Sequence, residues 1–246
     1  MARIFITGSA DGLGELSAKS LIQQGHKVVL HARDAERGHE AIKKNPEAGA
    51  IVTEDLSSIE ETKKLAREVN KLGAFDAVIH NAGVYRAAAK EILAVNTLAP
   101  YVLTCLMQRP GRLIYLTSGM HVHGRAKFDS LKTDIDQVTY SDSKLYVLLL
   151  CMAVARKWRD VYCNAVNPGW VPTKMGGRGA PDNLQKGYET QVWLAVSHDE
   201  KAKVSGQYFF HHKEKHHNPD ADDVVLQERF LNFCKEITGI PFPGSH

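Results

Sequence analysis

Thr7-Gly8-Ser9-Ala10-Asp11-Gly12-Leu13-Gly14 is the stretch from which the fold of this chain can be read. It follows a short apolar run at residues 3–6 and leads into a segment with apolar residues at helical spacing. A strand, a glycine-rich turn and a helix in this order aim free backbone N–H groups at a phosphate. Gly12 lets the backbone approach a pyrophosphate, and Gly14 lets the helix pack closely on the strand. The alternative is a turn with only a structural role. The motifs in the rest of the chain distinguish this from a phosphate-binding turn.

The composition indicates a globular protein with one large core. The chain has 246 residues, 43% of them hydrophobic, and a formal net charge of +3. We therefore predict a single α/β domain over residues 1–246. The small net charge gives no sign of a nucleic-acid surface or a polybasic membrane patch. No apolar run approaches the roughly 20 residues of a membrane helix, so we expect neither nucleic acid nor membrane as a partner.

The N-terminus and the cysteines predict the compartment. The first residues lead directly into a predicted strand and leave no room for a signal peptide. The 4 cysteines lie in apolar patterns without Cys-x-x-Cys spacing. Such cysteines are typical of buried thiols in a reducing compartment, so we expect a cytoplasmic protein.

Strand and helix patterns alternate along the whole chain. Strands are predicted at residues 3–6, 27–31, 50–53, 75–79, 111–117, 161–166 and 205–210. This alternation predicts a doubly wound Rossmann domain, in which a parallel seven-stranded sheet carries helices on both faces. The fourth strand should lie beside the first after a reversal of direction, and a ligand crevice opens at such a point.

Tyr140 and Lys144 are the leading catalytic candidates. Residues four apart on a helix share a face, so both side chains point the same way. Tyr-x-x-x-Lys occurs by chance in many helices, but here it follows the fifth strand and Ser118 at the carboxyl edge of the sheet. A free tyrosine has a pKa of about 10. We expect the Lys144 charge to lower the pKa of Tyr140 toward neutrality.

The residues after the second strand predict which cofactor binds. NAD sites usually place an acid here for the ribose 2′-OH, whereas an arginine accommodates the 2′-phosphate of NADP. This chain has Ala32 and Arg33, and Asp34 is predicted to cap the next helix. Arg33 is either an ordinary surface arginine or a phosphate ligand. The glycine turn favours the phosphate ligand, and therefore NADP(H) over NAD.

Two further polar residues have open roles. Asp55 follows the third strand and either accepts a hydrogen bond from the adenine amino group or only terminates the strand. Asn96 falls inside a helix predicted over residues 87–108. A buried asparagine in a helix needs hydrogen-bond partners, so we do not expect it to be a mere filler.

Taken together, the motifs resemble the short-chain dehydrogenase/reductase family over essentially the whole chain. They follow in the family's order: the glycine turn 7–14, Asp55-Leu56, Asn81-Ala82-Gly83, Asn96, Ser118, Tyr140 with Lys144, and Pro168-Gly169. The segments 206–209 and 238–240 are similar to the retinol-dehydrogenase-like branch of that family.

The resemblance implies a set of cofactor contacts. The implied set is Gly8, Ser9, Asp11, Gly12, Leu13, Gly14, Arg33, Asp55, Leu56, Asn81, Ala82, Gly83, Tyr140, Lys144, Pro168, Gly169, Val171 and Thr173. Within it, Asp55 and Leu56 would contact the adenine, and Asn81 would tie the central strand to its neighbours. The Val171 backbone would bind the carboxamide, and Thr173 the carboxamide or the pyrophosphate.

The resemblance also implies the chemistry, a hydride transfer between NADP(H) and a small-molecule carbonyl or alcohol. Ser118 would bind the substrate oxygen, and Tyr140 would exchange its proton. Lys144 would hold the nicotinamide ribose. Asn96, in a locally distorted helix, would anchor a water linked to Lys144. That helix is shorter than is usual in the family. Whether it can form the interface of a homodimer therefore stays open.

Two other functions stay open beside this one. An NADPH-sensing regulator without turnover would be favoured by loss of Tyr140 or Lys144, and both are present. A nucleotide-sugar epimerase or dehydratase uses a related Tyr/Lys pair, but such enzymes usually carry a longer C-terminal substrate domain.

A glycine-rich segment at residues 175–181 predicts a lid at about 174–190, although a permanently ordered loop is the alternative. His121, His123 and Trp170 would form walls of a pocket for a medium-sized, partly apolar substrate. The two histidines, and the histidine tract at 211–217, lack an evident set of further ligands, so no metal site is predicted. The tract reads as a solvated loop, with metal binding as its alternative.

Overall fold

One sheet organises the computed structural model, which describes residues 1–131 and 134–244. Its strands are β1 (Arg3–Ile6), β2 (Lys27–Ala32), β3 (Ala50–Thr53), β4 (Ala77–His80), β5 (Arg112–Leu116), β6 (Tyr162–Asn167), β7 (Gln207–Phe210) and β8 (Lys213–Glu214). Their order is β3-β2-β1-β4-β5-β6-β7-β8, and the strand order reverses between β1 and β4. The doubly wound Rossmann fold is confirmed, with the crevice expected at that reversal.

The seven predicted strands pair in parallel, and β8 adds an eighth strand antiparallel to β7. The two residues of β8 are both charged and exposed, so no apolar pattern in the sequence predicted this strand. The hairpin turn between β7 and β8 contains His211 and His212, both with positive φ.

Helices cover both faces of the sheet. They are α1 (Gly12–Gln23), α2 (Ala35–Lys44), α3 (Ile59–Lys71), α4 (Ala89–Leu93), α5 (Ala99–Leu106), α6 (Phe128–Leu131), α7 (Tyr140–Lys157), α8 (Leu184–Val196) and α9 (Val224–Thr238). One apolar core lies between the sheet and α1, α2 and α8. The other, larger core lies between the sheet and α3, α5, α7 and α9. None of the described helices is long and apolar enough to cross a membrane.

The helix predicted over residues 87–108 is shorter and is interrupted. Between α4 and α5 the chain forms a π-helical turn at Ala94–Leu98, which contains Asn96. The turn admits one extra residue, and π turns of this kind are frequent at functional sites. The local distortion implied by the resemblance is therefore present.

Helix α7 is the most deeply buried helix segment near the crevice, with every residue from 142 to 154 buried. It begins at Tyr140 because Thr139 and Asp142 cap it reciprocally. The Thr139 hydroxyl accepts from the Asp142 N–H at 3.1 Å, and the Asp142 carboxylate accepts from the Thr139 N–H at 3.0 Å. This capping box fixes Tyr140 in the first turn of a rigid helix.

His80 ends β4 inside a polar network within the larger core. Its ring stacks on Tyr115 with 4.7 Å between centroids, and the Tyr115 and Thr104 hydroxyls are hydrogen-bonded at 2.6 Å. Burial lowers the pKa of His80 to about 3. The imidazole is thus neutral in the folded protein at any pH where the protein is stable.

This neutral imidazole makes stability fall in acid. In the unfolded chain a histidine titrates near pH 6.5. The contribution of the neutral His80 ring to the free energy of unfolding is therefore fully present above about pH 6.5 and is lost as the pH falls toward 3. His80→Phe keeps the ring stacking but cannot be protonated. We expect the loss of unfolding free energy between about pH 7.5 and about pH 5 to be smaller in the variant by about 2 kcal/mol. Urea unfolding at both pH values measures it, and equal losses in the two proteins would contradict the assignment.

Candidate active site

The glycine turn connects β1 to α1 and lies against the end of β4. Gly8 has φ +62°, and a Cβ there would lie 2.9 Å from the Ala82 Cα. A Cβ on Gly14 would lie 2.4 Å from the Gly8 carbonyl oxygen and 2.5 Å from the Asn81 amide nitrogen. A Cβ on Gly12 would approach only Thr173, at 3.9 Å. Gly8 and Gly14 therefore permit packing, whereas Gly12 leaves the backbone open toward the crevice.

Asn81 fastens the end of β4 to the glycine turn. Its side-chain amide donates to the carbonyl oxygens of Thr7 at 2.9 Å and Gly8 at 3.0 Å. The Thr7 hydroxyl in turn accepts from the backbone N–H groups of Asn81 and Ala82, both at 3.0 Å. These four bonds hold the two segments at the carboxyl edge of the sheet in fixed register.

A cleft of about 1180 Å³, including its open mouth, runs along this edge. It brings together fourteen of the predicted residues: Gly8, Asp11, Gly12, Leu13, Arg33, Asp55, Leu56, Asn81, Ala82, Gly83, Tyr140, Lys144, Pro168 and Thr173. His31, Arg37, Glu91 and Lys174 also line it, and none of them was singled out from the sequence. One continuous cleft thus joins the glycine turn to the Tyr140–Lys144 pair.

The side chain of Ser9 does not line the cleft. It was expected to contact the cofactor, but it is fully buried behind the cleft wall. Its hydroxyl donates to the Ile6 carbonyl at 2.9 Å and accepts from the His31 N–H at 2.8 Å. Gly14 and Val171 are also buried, and Gly169 turns the chain with φ +84°. These three shape the wall rather than line it.

Two arginines stand at one end of the cleft. Arg33 lies just before α2 with its side chain 59% exposed, and Arg37 follows in the first turn of α2. The Arg37 guanidinium pairs with the Asp11 carboxylate at 2.5 Å. Asp34 caps α2 by accepting from the Arg37 N–H at 2.9 Å, as predicted. Arg33 and Arg37 both line the cleft. The sign of Arg37 in the sequence was a second arginine four residues after Arg33.

Asp11 precedes α1 without capping it, because its carboxylate is engaged elsewhere. It pairs with Arg37 and, at 3.2 Å, with Lys174 from the loop after β6. The first N–H groups of α1 therefore face the cleft without a side-chain cap, which is the arrangement that suits an anion.

Asp55 lines the cleft and also organises the turn after β3. Its carboxylate accepts from the Ser57 N–H at 2.9 Å, and its own N–H donates to Glu61 at 2.7 Å. Both open roles of Asp55 are thus compatible with its position.

The predicted lid at 174–190 consists of a loop followed by the start of a helix. Residues 184–190 belong to α8, which Asn183 caps by accepting from the Lys186 N–H at 3.0 Å. The preceding loop is closed by Trp170, whose indole donates to the Gly176 carbonyl at 2.8 Å and whose N–H donates to Asp182 at 2.6 Å. Movement of residues 174–183 on ligand binding stays a prediction.

Tyr140, Ser118 and Lys144 meet at the other end of the cleft. The Ser118 side chain lies near the Tyr140 hydroxyl, where it favours the ionised form as a hydrogen-bond partner. The Lys144 Nζ lies 5.5 Å from the centre of the Tyr140 ring and donates to the Leu116 carbonyl at 3.0 Å. Two elements thus supply the group: β5 ends two residues before Ser118, and α7 carries Tyr140 and Lys144.

The pKa of Tyr140 departs from the sequence-based expectation. Burial raises it to about 12, although the hydrogen bond from Ser118 opposes the change. Burial also lowers the pKa of Lys144 to about 8. The loss of water around each group is the main cause of both changes. Tyr140 is consequently a protonated donor at neutral pH.

Asn96 supports the catalytic end from behind. Its carbonyl oxygen accepts from the Val84 N–H at 2.8 Å, and its amide donates to the Val84 carbonyl at 2.9 Å and to Ser143 at 3.0 Å. A Cβ on Gly83 would lie 3.3 Å from both the Asn96 oxygen and the Lys144 Nζ. Asn96 thus fixes the segment after β4 beside Lys144. The proposed water between them stays a prediction.

His121 does not form a wall of the pocket. It is buried, with Nδ1 2.6 Å from the Ser118 carbonyl oxygen and Nε2 accepting from the Asn218 N–H at 3.2 Å. Tyr85, which sequence analysis missed, takes the position next to the reactive hydroxyl. Its ring is 39% exposed and meets the Tyr140 ring edge-to-face at 4.7 Å. Its place two residues after Asn81-Ala82-Gly83 was the only signal.

No group of three or more His, Cys, Asp or Glu side chains within residues 1–131 and 134–244 is arranged to hold a metal ion. In the histidine tract, His217 instead contacts Asp222 at 3.0 Å.

Comparison with known proteins agrees with this geometry. The short chain dehydrogenase family model matches residues 2–183. An uncharacterized oxidoreductase of Emericella nidulans is 44% identical over 257 aligned positions, covering 99% of this chain and 100% of that protein. Retinol dehydrogenase 13 of Mus musculus is 27% identical, over 96% of this chain and 84% of its own. A short chain dehydrogenase from Shigella flexneri, solved in complex with NADP, has a TM-score of 0.68 at 22% identity, covering 86% of this chain and 97% of its own.

The contact between Gly14 and the Asn81 amide predicts a large effect of a single methyl group. Gly14→Ala would force a Cβ to within 2.5 Å of that amide and should destabilise the fold by about 3 kcal/mol. The matched control is Gly179→Ala, because a Cβ at Gly179 has no heavy atom within 4 Å. Urea unfolding of both variants measures the difference. If the two variants were equally stable, the turn at Gly14 would accommodate a Cβ for which the structure shows no space.

Proposed function

Because the chain belongs to the short-chain dehydrogenase/reductase family, we propose that it transfers a hydride between NADP(H) and a carbonyl or alcohol substrate. One observation carries the proposal: a single cleft has two arginines at one end and Tyr140 with Lys144 at the other, where Ser118 lies near the Tyr140 hydroxyl. The nicotinamide of the bound cofactor would supply or accept the hydride. All other steps belong to side chains of this protein.

The catalytic end is suited to protonate a developing alkoxide. A carbonyl oxygen that receives negative charge needs a hydrogen-bond donor and then a proton. The Ser118 and Tyr140 hydroxyls would both donate to that oxygen, and Tyr140 would deliver its proton. The Lys144 ammonium, held by the Leu116 carbonyl, would stabilise the phenolate that remains. Burial keeps Tyr140 protonated at neutral pH, which is the form required of the acid in carbonyl reduction.

The arginine end is suited to an adenosine 2′-phosphate. A phosphate accepts two parallel hydrogen bonds from a guanidinium, and Arg33 and Arg37 offer two such groups at the end of β2. The uncapped first turn of α1 would receive the pyrophosphate. Asp11, which neutralises Arg37 without ligand, would share that arginine with the phosphate. This supports NADP(H) over NAD(H).

The substrate end supports a partly apolar compound. A carbonyl hydrogen-bonded to Tyr140 would lie alongside the exposed ring of Tyr85. Met175 also lines the cleft and Trp170 is 60% exposed on the same loop. Apolar and aromatic side chains around few polar groups are typical of sites for medium-sized organic ligands. The name of the retinol dehydrogenase relative is compatible with such a substrate.

The first test concerns the cofactor. Arg33→Ala and Arg37→Ala should each weaken NADPH binding by roughly tenfold or more, because a charge-assisted hydrogen bond is worth about 1.5–3 kcal/mol. Neither change should affect NADH binding, since NADH lacks the 2′-phosphate. Arg67→Ala, an exposed arginine on α3, is the matched control. Calorimetric titration with both cofactors measures the effect, and wild-type protein that binds NADH as tightly as NADPH would overturn the preference.

The second test concerns the acid. Tyr140→Phe should lower kcat by about 10² to 10⁴, the usual value of a general acid, while leaving the Kd for NADPH unchanged. Lys144→Ala should lower kcat and weaken cofactor binding as well. Tyr162→Phe, at the amino end of β6, serves as control and should leave both unchanged. NADPH oxidation is followed with a panel of aldehydes, ketones, quinones and steroids. Substantial turnover by Tyr140→Phe on an accepted substrate would exclude Tyr140 as the acid.

A further inference from the structure

Within residues 1–131 and 134–244, His31 is the buried ionisable side chain that lines the glycine-turn end of the cleft. It lies near the end of β2, is 2% exposed, and lines the cleft between β1 and β3. Its ring packs edge-on against Phe5 at 6.5 Å. Neither the family motifs nor the proposed catalytic group makes use of it.

Both ring nitrogens contact backbone groups of segments that form the cleft. The Gly8 N–H donates to the His31 Nδ1 at 2.9 Å, and the His31 Nε2 lies 2.9 Å from the Glu54 carbonyl oxygen. Gly8 belongs to the glycine turn, and Glu54 is followed by Asp55 in the cleft wall. One imidazole therefore joins the end of β1 to the end of β3 across β2.

These contacts determine the tautomer. A backbone N–H can only donate, so Nδ1 must be the unprotonated acceptor. A carbonyl oxygen can only accept, so Nε2 must carry the proton. Burial lowers the pKa of His31 to about 4, in agreement with a neutral ring at physiological pH. A protonated ring would present a second N–H to the Gly8 N–H, and the bond to the glycine turn would be lost.

The backbone around His31 reinforces the same connection. Its N–H donates to the Ser9 hydroxyl at 2.8 Å, and its carbonyl accepts from the Ser9 N–H at 3.0 Å. Since the Gly8 N–H is engaged by the ring, this amide is not available to a phosphate. The free N–H groups for the phosphate are left to the first turn of α1, which the Gly8 contact holds in place.

We propose that His31 is a positioning residue for the adenosine half of the cofactor, holding the glycine turn and the Asp55 wall at a fixed separation. This inference rests on the proposed dinucleotide-binding function. It assigns to His31 no contact with the hydride, the substrate or Tyr140. Its effect is confined to the cofactor end of the cleft.

The test compares variants that remove one or both ring contacts. His31→Ala removes both, His31→Asn keeps an acceptor near Gly8, and His31→Gln keeps a donor near Glu54. Calorimetry with NADPH and with adenosine 2′,5′-bisphosphate, which contains only the adenosine half, measures each Kd. We expect His31→Ala to raise both Kd values about tenfold and by the same factor, and each amide variant to raise them only about threefold. Where turnover is measurable, KM for NADPH should rise while kcat stays unchanged.

The matched control is His26, just before the other end of β2. Its Nδ1 accepts from the Ala2 N–H at 3.0 Å, a contact of the same kind on the opposite edge of the sheet. His26→Ala should lower Tm but leave both Kd values unchanged. If His31→Ala lowers Tm in the same way and leaves both Kd values unchanged, His31 is only a core residue and the proposal is overturned.

Two other outcomes also decide the question. If His31→Ala does not fold, the two amide variants still carry the test, and wild-type Kd values in both would overturn the proposal. If wild-type protein binds neither NADPH nor the bisphosphate, the proposed function itself fails and this inference fails with it. If the wild type binds both ligands tightly and the His31 variants bind them equally well, only the positioning role of His31 is overturned and the proposed function stands.

Discussion

The hydrogen bonds of the Asn81 side chain to the Thr7 and Gly8 carbonyl oxygens are the interaction on which the rest of the cleft depends. They hold the glycine turn against the end of β4 at the point where the strand order reverses, and the cleft lies along this edge of the sheet. The absence of a side chain at Gly14 makes this approach possible. Every predicted cofactor contact that lines the cleft is positioned relative to this junction.

The second constraint is the burial of α7. Its middle is packed on both the sheet and α9, so Tyr140 and Lys144 are fixed by a helix that cannot shift without disturbing the larger core. Burying a lysine would normally be unfavourable, and Lys144 meets the cost partly by donating to the Leu116 carbonyl and partly by a lowered pKa. The same loss of water keeps Tyr140 protonated. Burial thus sets both the geometry and the protonation state of the Tyr140–Lys144 pair.

The sequence by itself determined the features that depend on local pattern. Alternating apolar strands and helices predicted seven parallel strands in a doubly wound sheet, and glycines at turn spacing predicted the turn between β1 and α1. Tyr140 and Lys144 were placed together because four residues make about one helical turn. Asp34 was identified as a cap from its position before α2. Each of these follows from neighbours within a few residues, so no knowledge of distant contacts was needed.

Only the tertiary structure decided what depends on residues far apart in the chain. The Ser9 hydroxyl turns into the core because His31, 22 positions later, offers it an N–H. Arg37 and Tyr85 enter the site because α2 and the segment after β4 pack toward the cleft. The pKa of Tyr140 rises instead of falling because the surrounding protein removes water from the hydroxyl, an effect that residue spacing does not reveal. Burial and long-range hydrogen bonds are properties of the assembled chain, and for that reason they could be read only from the fold.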